Sequence, residues 1–235
     1  MWCLAPKAAD LGDTLRKILS NTKRKSPGKK NNTRDPERTR KRLLNAAIRE
    51  FAEKGYGGAR IDKIAERADL NKRLLYHYFG DKDALYLAVL ESTYVDIRTA
   101  EQGLNLENDE PVEAIRKLVR FTWDHFLAHP EFLSLLATEN LLRAKHLKRS
   151  KVIFGLHTPL ISLISAVIKR GTVSGQFRKG LDPVGLYITI ASLGWFYLSN
   201  RWTLSTIFHR DVMEKRELKE WGDHIIEVVI SYVKA

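Results

Sequence analysis

The stretch Arg60–Lys82, RIDKIAERADLNKRLLYHYFGDK, decides the fold. Ile61, Ile64, Ala65 and Ala68 recur at helical spacing and predict a two-turn helix. Asn71 then caps a second short helix that runs through Phe79, with Leu75 and Phe79 one turn apart. Only Asp69 and Leu70 separate the two, and so tight a link between short helices is the signature of a helix-turn-helix. On the second helix Lys72, Arg73, Tyr76 and His77 fall on the face away from Leu75 and Phe79. That set suits a helix in the major groove of DNA, where Lys or Arg bonds guanine edges and Tyr or His reaches phosphates or bases. Leu74 flanks the face and is placed to meet a thymine methyl. Taken alone, the same face also fits an ordinary solvated helix surface.

Two residues in this stretch break local rules. Arg60 stands where the first of the two helices should carry Ser or Thr, so a cation meets the positive end of the helix dipole. A docked DNA phosphate would compensate for it. Asp69 occupies a turn position that usually requires a left-handed backbone, which Gly adopts freely and Asp only at a cost.

Upstream, Pro36 suits a first helical position after Asp35, and Leu44, Ala47, Ile48 and Phe51 form one buried stripe that Gly55 ends. Downstream, Asp81 caps a helix in which Leu85, Ala88, Val89 and Ser92 continue the pattern to about Ala100. Further helices are predicted at 111–128, 130–145, 152–170, 183–207 and 214–233, without a convincing strand pattern, so the fold class is all-α. Residues 183–200 carry no charge, enough for the shortest membrane span. Their Gly185, Thr189, Ser192, Gly194, Ser199 and Asn200 favour a helix packed against other helices, and no membrane partner is expected.

The chain of 235 residues is 44% hydrophobic, ample for a core, and carries a formal charge of +12. The charge is uneven: residues 1–34 hold nine Lys or Arg against two Asp, and residues 35–80 hold eleven against seven acids. A local cationic field of this kind fits a nucleic-acid backbone or a solubilising surface. Asn21 to Asn32 lacks any large apolar residue, so residues 1–34 are expected to form a flexible basic arm. Cys3 is the lone cysteine, which rules out an intrachain disulfide. No signal peptide is read in the first thirty residues, and the chain is expected in the cytoplasm.

Gly55-Tyr56, Ile64-Ala65, Ala68, Leu70 and Leu75-Tyr76-His77-Tyr78-Phe79, followed by Asp81-Lys82-Asp83-Ala84-Leu85, together resemble the TetR family of repressors. The likeness covers about residues 36–90. It implies a three-helix DNA-binding head at 35–81, a helical regulatory and dimerisation bundle at 82–235, a homodimer, and a palindromic double-stranded DNA operator. It also implies that Arg60, Lys63, Asn71, Lys72, Arg73, Leu74, Tyr76, His77 and Lys82 face DNA, with Arg60 and Lys82 on phosphates.

The same resemblance implies that a small-molecule effector binds among the middle helices and respaces the two heads. Polar residues inside apolar helices are the pointers to its pocket, since burying them unpaired is costly. Glu139 and Asn140 interrupt an apolar run, His157 lies between Val152 and Leu163, and Trp123, Phe126, Trp195 and Tyr197 can form walls; plain core packing explains the same residues. His125 and His129 are four apart and could share a metal, but no third ligand accompanies them, so no metal and no cofactor are expected. An enzyme finds no support in a glycine-rich phosphate loop, a nucleophile elbow or a His-Glu-x-x-His pair. A DNA binder controlled by a partner, without an effector, fits the sequence equally well.

Overall fold

Proline, asparagine and aspartate set the helix boundaries in the computed structural model, which describes residues 35–235. Ten α-helices follow one another there: α1 (Pro36–Gly58), α2 (Ile61–Arg67), α3 (Lys72–Phe79), α4 (Lys82–Gln102), α5 (Pro111–Ala128), α6 (Pro130–Leu141), α7 (Lys151–Val173), α8 (Pro183–Ser199), α9 (Arg201–Ile207) and α10 (Lys215–Val233). Pro36, Pro111, Pro130 and Pro183 each open a helix, where a missing N–H costs nothing. Asn71, Asp81, Ser150 and Asp182 cap α3, α4, α7 and α8 by accepting backbone N–H bonds. The expected basic arm, residues 1–34, lies outside the described residues.

Gly55 breaks α1 with φ 64°, so the regular helix ends where the sequence indicates and a single turn follows. Leu44, Ala47 and Phe51 are buried on α1, Ile64 and Ala65 on α2, and Leu75 and Phe79 on α3. These three helices pack into the head. α1 also lies along α4 and α6, so the head leans on the bundle instead of hanging from a linker.

In the bundle, α7 packs against α4, α5 and α8, and α5 against α8 and α10. Trp123 of α5 fills the slot this creates: a Cβ added at Gly222 would meet its indole at 2.7 Å, and one at Gly194 would meet Phe126 at 3.3 Å. Glycine there lets three helices close on one indole. By length and composition α7 could cross a membrane, yet one face is buried against the neighbouring helices through Leu160, Ile164, Val167 and Gly171. An isolated bridge between Phe177 and Lys234 is the single β contact among the described residues.

Beyond shifts of a few residues at helix ends, the structure departs from the sequence prediction at two places. α6 stops at Leu141 instead of running to Lys145, because Arg143 and Ala144 turn left-handed and the Glu139 carboxylate takes the amides of His146 and Leu147. The predicted helix 183–207 divides at Asn200 into α8 and α9, where Asn200 leaves helical geometry and its side chain donates back to the Phe196 carbonyl at 2.8 Å.

Candidate nucleic-acid interface and regulatory core

The recognition helix is built by burying two residues and leaving the rest in water. Leu75 and Phe79 anchor α3, while Asn71, Lys72, Arg73, Tyr76 and His77 are exposed, Tyr76 by 49%, and Leu74 is half-buried. Asn71 Oδ1 accepts the Arg73 amide at 2.9 Å, which closes one of the free N–H groups at the start of α3. Among the described residues Lys72 and Arg73 have no acidic side chain within ion-pair distance. Their charges are therefore available to an external anion.

Other cations of the head are engaged on their own surface. Arg60 pairs with Asp62 at 2.7 Å and Lys63 with Glu66 at 2.7 Å. The misplaced Arg60 cation is thus offset from within α2 by Asp62, with no phosphate required. Lys82 turns inward: its ammonium donates to the Ala59 carbonyl at 2.7 Å and lies 4.9 Å from the centre of the Tyr56 ring, tying α4 to the corner between α1 and α2. Asp69 has φ 47°, the left-handed state expected of that turn. Arg42 clamps it, donating to the Ala68 carbonyl at 2.6 Å and standing 3.4 Å from the Asp69 carboxylate. Arg67 joins α2 to α1 through Glu50, 3.0 Å away, and Glu53.

A polar cluster couples the head to the bundle. Tyr56, in the last turn of α1 beyond Gly55, donates its hydroxyl to Asp83 at the start of α4, and Lys145 reaches Asp83 at 3.2 Å. The Tyr56 hydroxyl and Lys145 together hold the Asp83 carboxyl down at about 2. Beneath them, buried His146 sits 4.9 Å from the Tyr56 ring and 4.8 Å from that of Tyr86. His146 Nδ1 is 2.9 Å from Glu139 Oε2, and Glu139 Oε1 accepts the His146 amide at 2.6 Å and the Leu147 amide at 3.0 Å.

Glu139, expected to meet an effector, is completely buried with both oxygens occupied; it closes the end of α6. Asn140 is exposed and donates to its own helix at Leu136. Trp123 and Phe126 are core residues of α5, and Tyr197 is buried with its hydroxyl donating to the Val212 carbonyl at 2.9 Å. Trp195 is half-buried, and its Nε1 has no hydrogen-bond partner among the described residues. His157 borders a second polar centre, apart from the cluster that holds Glu139. It lies 5.5 Å from the Tyr94 ring and 6.5 Å from that of Tyr187, and burial lowers its pKa. His125 and His129 lie 4.3 Å apart without forming part of any three-residue ligand set among the described residues. His125 is half-buried, and desolvation and then His129 push it down to about 4.

Sequence reasoning missed the other members of that centre, Arg98 and Glu101 of α4. Arg98 lies 5.3 Å from the centre of the Tyr187 ring and donates to the Tyr187 hydroxyl at 3.0 Å. A signal was present: Leu90, Tyr94 and Ile97 trace the buried stripe of α4, and Arg98 and Glu101 continue it. A charged pair on an apolar stripe is either internally satisfied or part of a site.

Residues 43–89 match the family model described as bacterial regulatory proteins, tetR family, and residues 111–229 match that of the tetracyclin repressor-like C-terminal domain. The HTH-type transcriptional repressor NicS of Pseudomonas putida is 37% identical over 194 residues, 83% of this chain and 92% of that one. The HTH-type transcriptional regulator RutR of Escherichia coli is 32% identical over 151 residues, 64% of this chain and 69% of that one. Among solved structures, the transcriptional regulator SCO4942 of Streptomyces coelicolor superposes with a TM-score of 0.63 at 23% identity, covering 83% of this chain and 98% of that one. FadR of Bacillus subtilis, in complex with stearoyl-CoA, gives 0.62 at 16% identity, covering 83% and 99%. The helix-turn-helix, the helical bundle behind it and these matches assign one identity: the chain belongs to the TetR family of bacterial transcriptional regulators, DNA-binding proteins that are not enzymes.

Proposed function

We propose that the protein works in the cytoplasm as a homodimeric repressor that reads a palindromic operator with α3 and is released by a small-molecule effector. The observation that carries the DNA-reading part is the exposed face of α3, where Lys72, Arg73, Tyr76 and His77 surround a helix start already capped by Asn71. Asn71, Lys72, Arg73, Leu74, Tyr76 and His77 are assigned to base edges and nearby phosphates. Arg60 and Lys63 lie along the flanking backbone, each within an ion pair that a phosphate can enter, and Lys82 positions the head. Residues 35–81 form the DNA-binding part and 82–235 the regulatory part, while residues 1–34 add phosphate-neutralising charge.

A second copy is the partner that the exposed apolar face of α8 and α9 fits. Val184, Ile188 and Phe196 recur along α8 at multiples of four, and Trp202, Ile207 and Phe208 extend the exposed apolar surface beyond Asn200. A dimer places its two recognition helices in successive major grooves, about 34–36 Å apart. Selection of bound duplexes from a random pool tests this reading. The expected product is a palindrome whose half-sites keep that spacing; enrichment of no sequence, or of a single half-site, overturns it.

A further inference from the structure

Arg98 and Glu101 lie one turn apart on α4, each about 3% exposed. Their geometry is incomplete. Arg98 Nη1 stands 2.7 Å from Glu101 Oε2 as an ion pair off the line of a hydrogen bond. Arg98 Nε and Nη1 and Glu101 Oε2 have no hydrogen-bond partner among the described residues. A buried guanidinium whose Nε is unanswered and whose Nη1 meets its carboxylate only off the hydrogen-bond line is costly, and such groups mark a place where something else is meant to bind.

Both side chains border a pocket of about 200 Å³ between α4, the loop after it and α7. Leu156, Leu160 and Leu163 line the α7 side, and Arg98 is the only basic residue among those lining the pocket. Arg170 fixes the loop, donating to the Leu106 and Asp109 carbonyls at 2.9 Å each. We propose that this pocket is a carboxylate-binding effector subsite, in which Arg98 grips the anionic end of a small organic acid and the leucines of α7 cover its apolar body. This deepens, and rests on, the reading that a small molecule releases the DNA.

The chemistry selects the ligand class. A single guanidinium matches a single negative charge, whereas a phosphate dianion would face Glu101 and Glu107 without a second cation. A carboxylate accepts from the open nitrogens of Arg98 while Tyr187 keeps hold of Nη2. Burial pushes the Glu101 carboxyl up to about 7 against the pull of Arg98, so its protonated form can donate to the incoming anion. Size points to a compact molecule: a cavity of about 150 Å³ holds benzene, so this one holds a ring with a carboxylate.

Sodium benzoate and its neutral counterpart benzamide, each titrated against the whole chain at pH 8 by calorimetry and melting temperature, test the assignment. Benzoate is expected to bind at least about ten-fold more tightly than benzamide, and Arg98→Gln to lose about ten-fold in benzoate affinity while binding the selected operator duplex as the parent does. Glu101→Gln removes the internal anion and tightens benzoate several-fold. Equal responses to benzoate and benzamide, no response to benzoate, phenylacetate or hexanoate, or undiminished benzoate binding by Arg98→Gln overturn the proposal. Should Arg98→Gln fail to fold, Glu101→Gln decides: unchanged or weaker benzoate binding overturns it. Benzoate that binds through Arg98 yet leaves the operator complex intact refutes effector release and leaves the subsite standing.

Discussion

α3 and α4 adjoin in the chain and use polar residues in opposite ways. α3 turns Lys72, Arg73, Tyr76 and His77 into water, whereas α4 carries Arg98 and Glu101 into the interior. An exposed cation is hydrated until a phosphate replaces the water, so its readiness to bind leaves no mark on the rest of the fold. A buried one must be answered from within, and the completeness of the answer separates framework from site. Glu139 and His146 are answered almost fully and hold the end of α6; Arg98 and Glu101 are not.

The largest effect that would sharpen this contrast is expected at Glu139. Glu139→Ala leaves the buried His146 amide and ring without acceptors and frees the turn that ends α6. It should destabilise the fold by about 3–5 kcal/mol, because several buried hydrogen-bonding groups lose their partner at about 1–3 kcal/mol each. The shift in urea midpoint measures it. A loss under about 1 kcal/mol accompanied by loss of effector response would instead return Glu139 to the pocket.

The head is legible in sequence because its informative signals are local. Stripes at 44, 47, 48 and 51 and at 61, 64, 65 and 68, the Asn71 cap and the Gly55 stop all act within a few residues. The bundle is written at longer range. Glu139 finds its partners seven and eight residues onward, past a left-handed turn that helical periodicity does not reveal. Arg98 meets Tyr187 from a helix 89 residues away, and nothing near Arg98 announces the contact. Trp123 resembles a pocket wall in sequence because a core indole and a ligand-lining indole share the same period, whereas Tyr197 is buried and also borders a cavity with Leu204 and Trp221.

The next effect separates Glu101 from ordinary surface carboxylates. Its pKa is raised by burial from 4.5 to about 7, so the folded state holds a proton that the unfolded chain releases earlier. Below about pH 4.5 both states are protonated and the contribution is full; it falls as pH rises and is lost above about pH 7. Relative to Glu101→Gln, the parent should lose at most about 3 kcal/mol across that window. The difference between the two urea-derived pH profiles isolates Glu101. Parallel profiles would show a Glu101 answered as fully as Glu139.

The smallest effects on stability, and the clearest on DNA, lie in the head. Arg73→Ala removes a cation with no acidic partner among the described residues, so its melting temperature should hardly move. Its operator affinity should fall by about 1–3 kcal/mol, roughly ten-fold to a hundred-fold, the scale of a base-reading arginine. Arg60→Ala removes a cation already paired with Asp62, so the loss should be smaller and nearly uniform across operator sequences, as for a phosphate contact. Equilibrium binding of both variants to the selected palindrome and to single-base changes within it distinguishes the roles. If Arg60→Ala relaxes sequence preference and Arg73→Ala does not, the reading face begins at α2, and the Asp62 pair orients Arg60 toward bases instead of neutralising it.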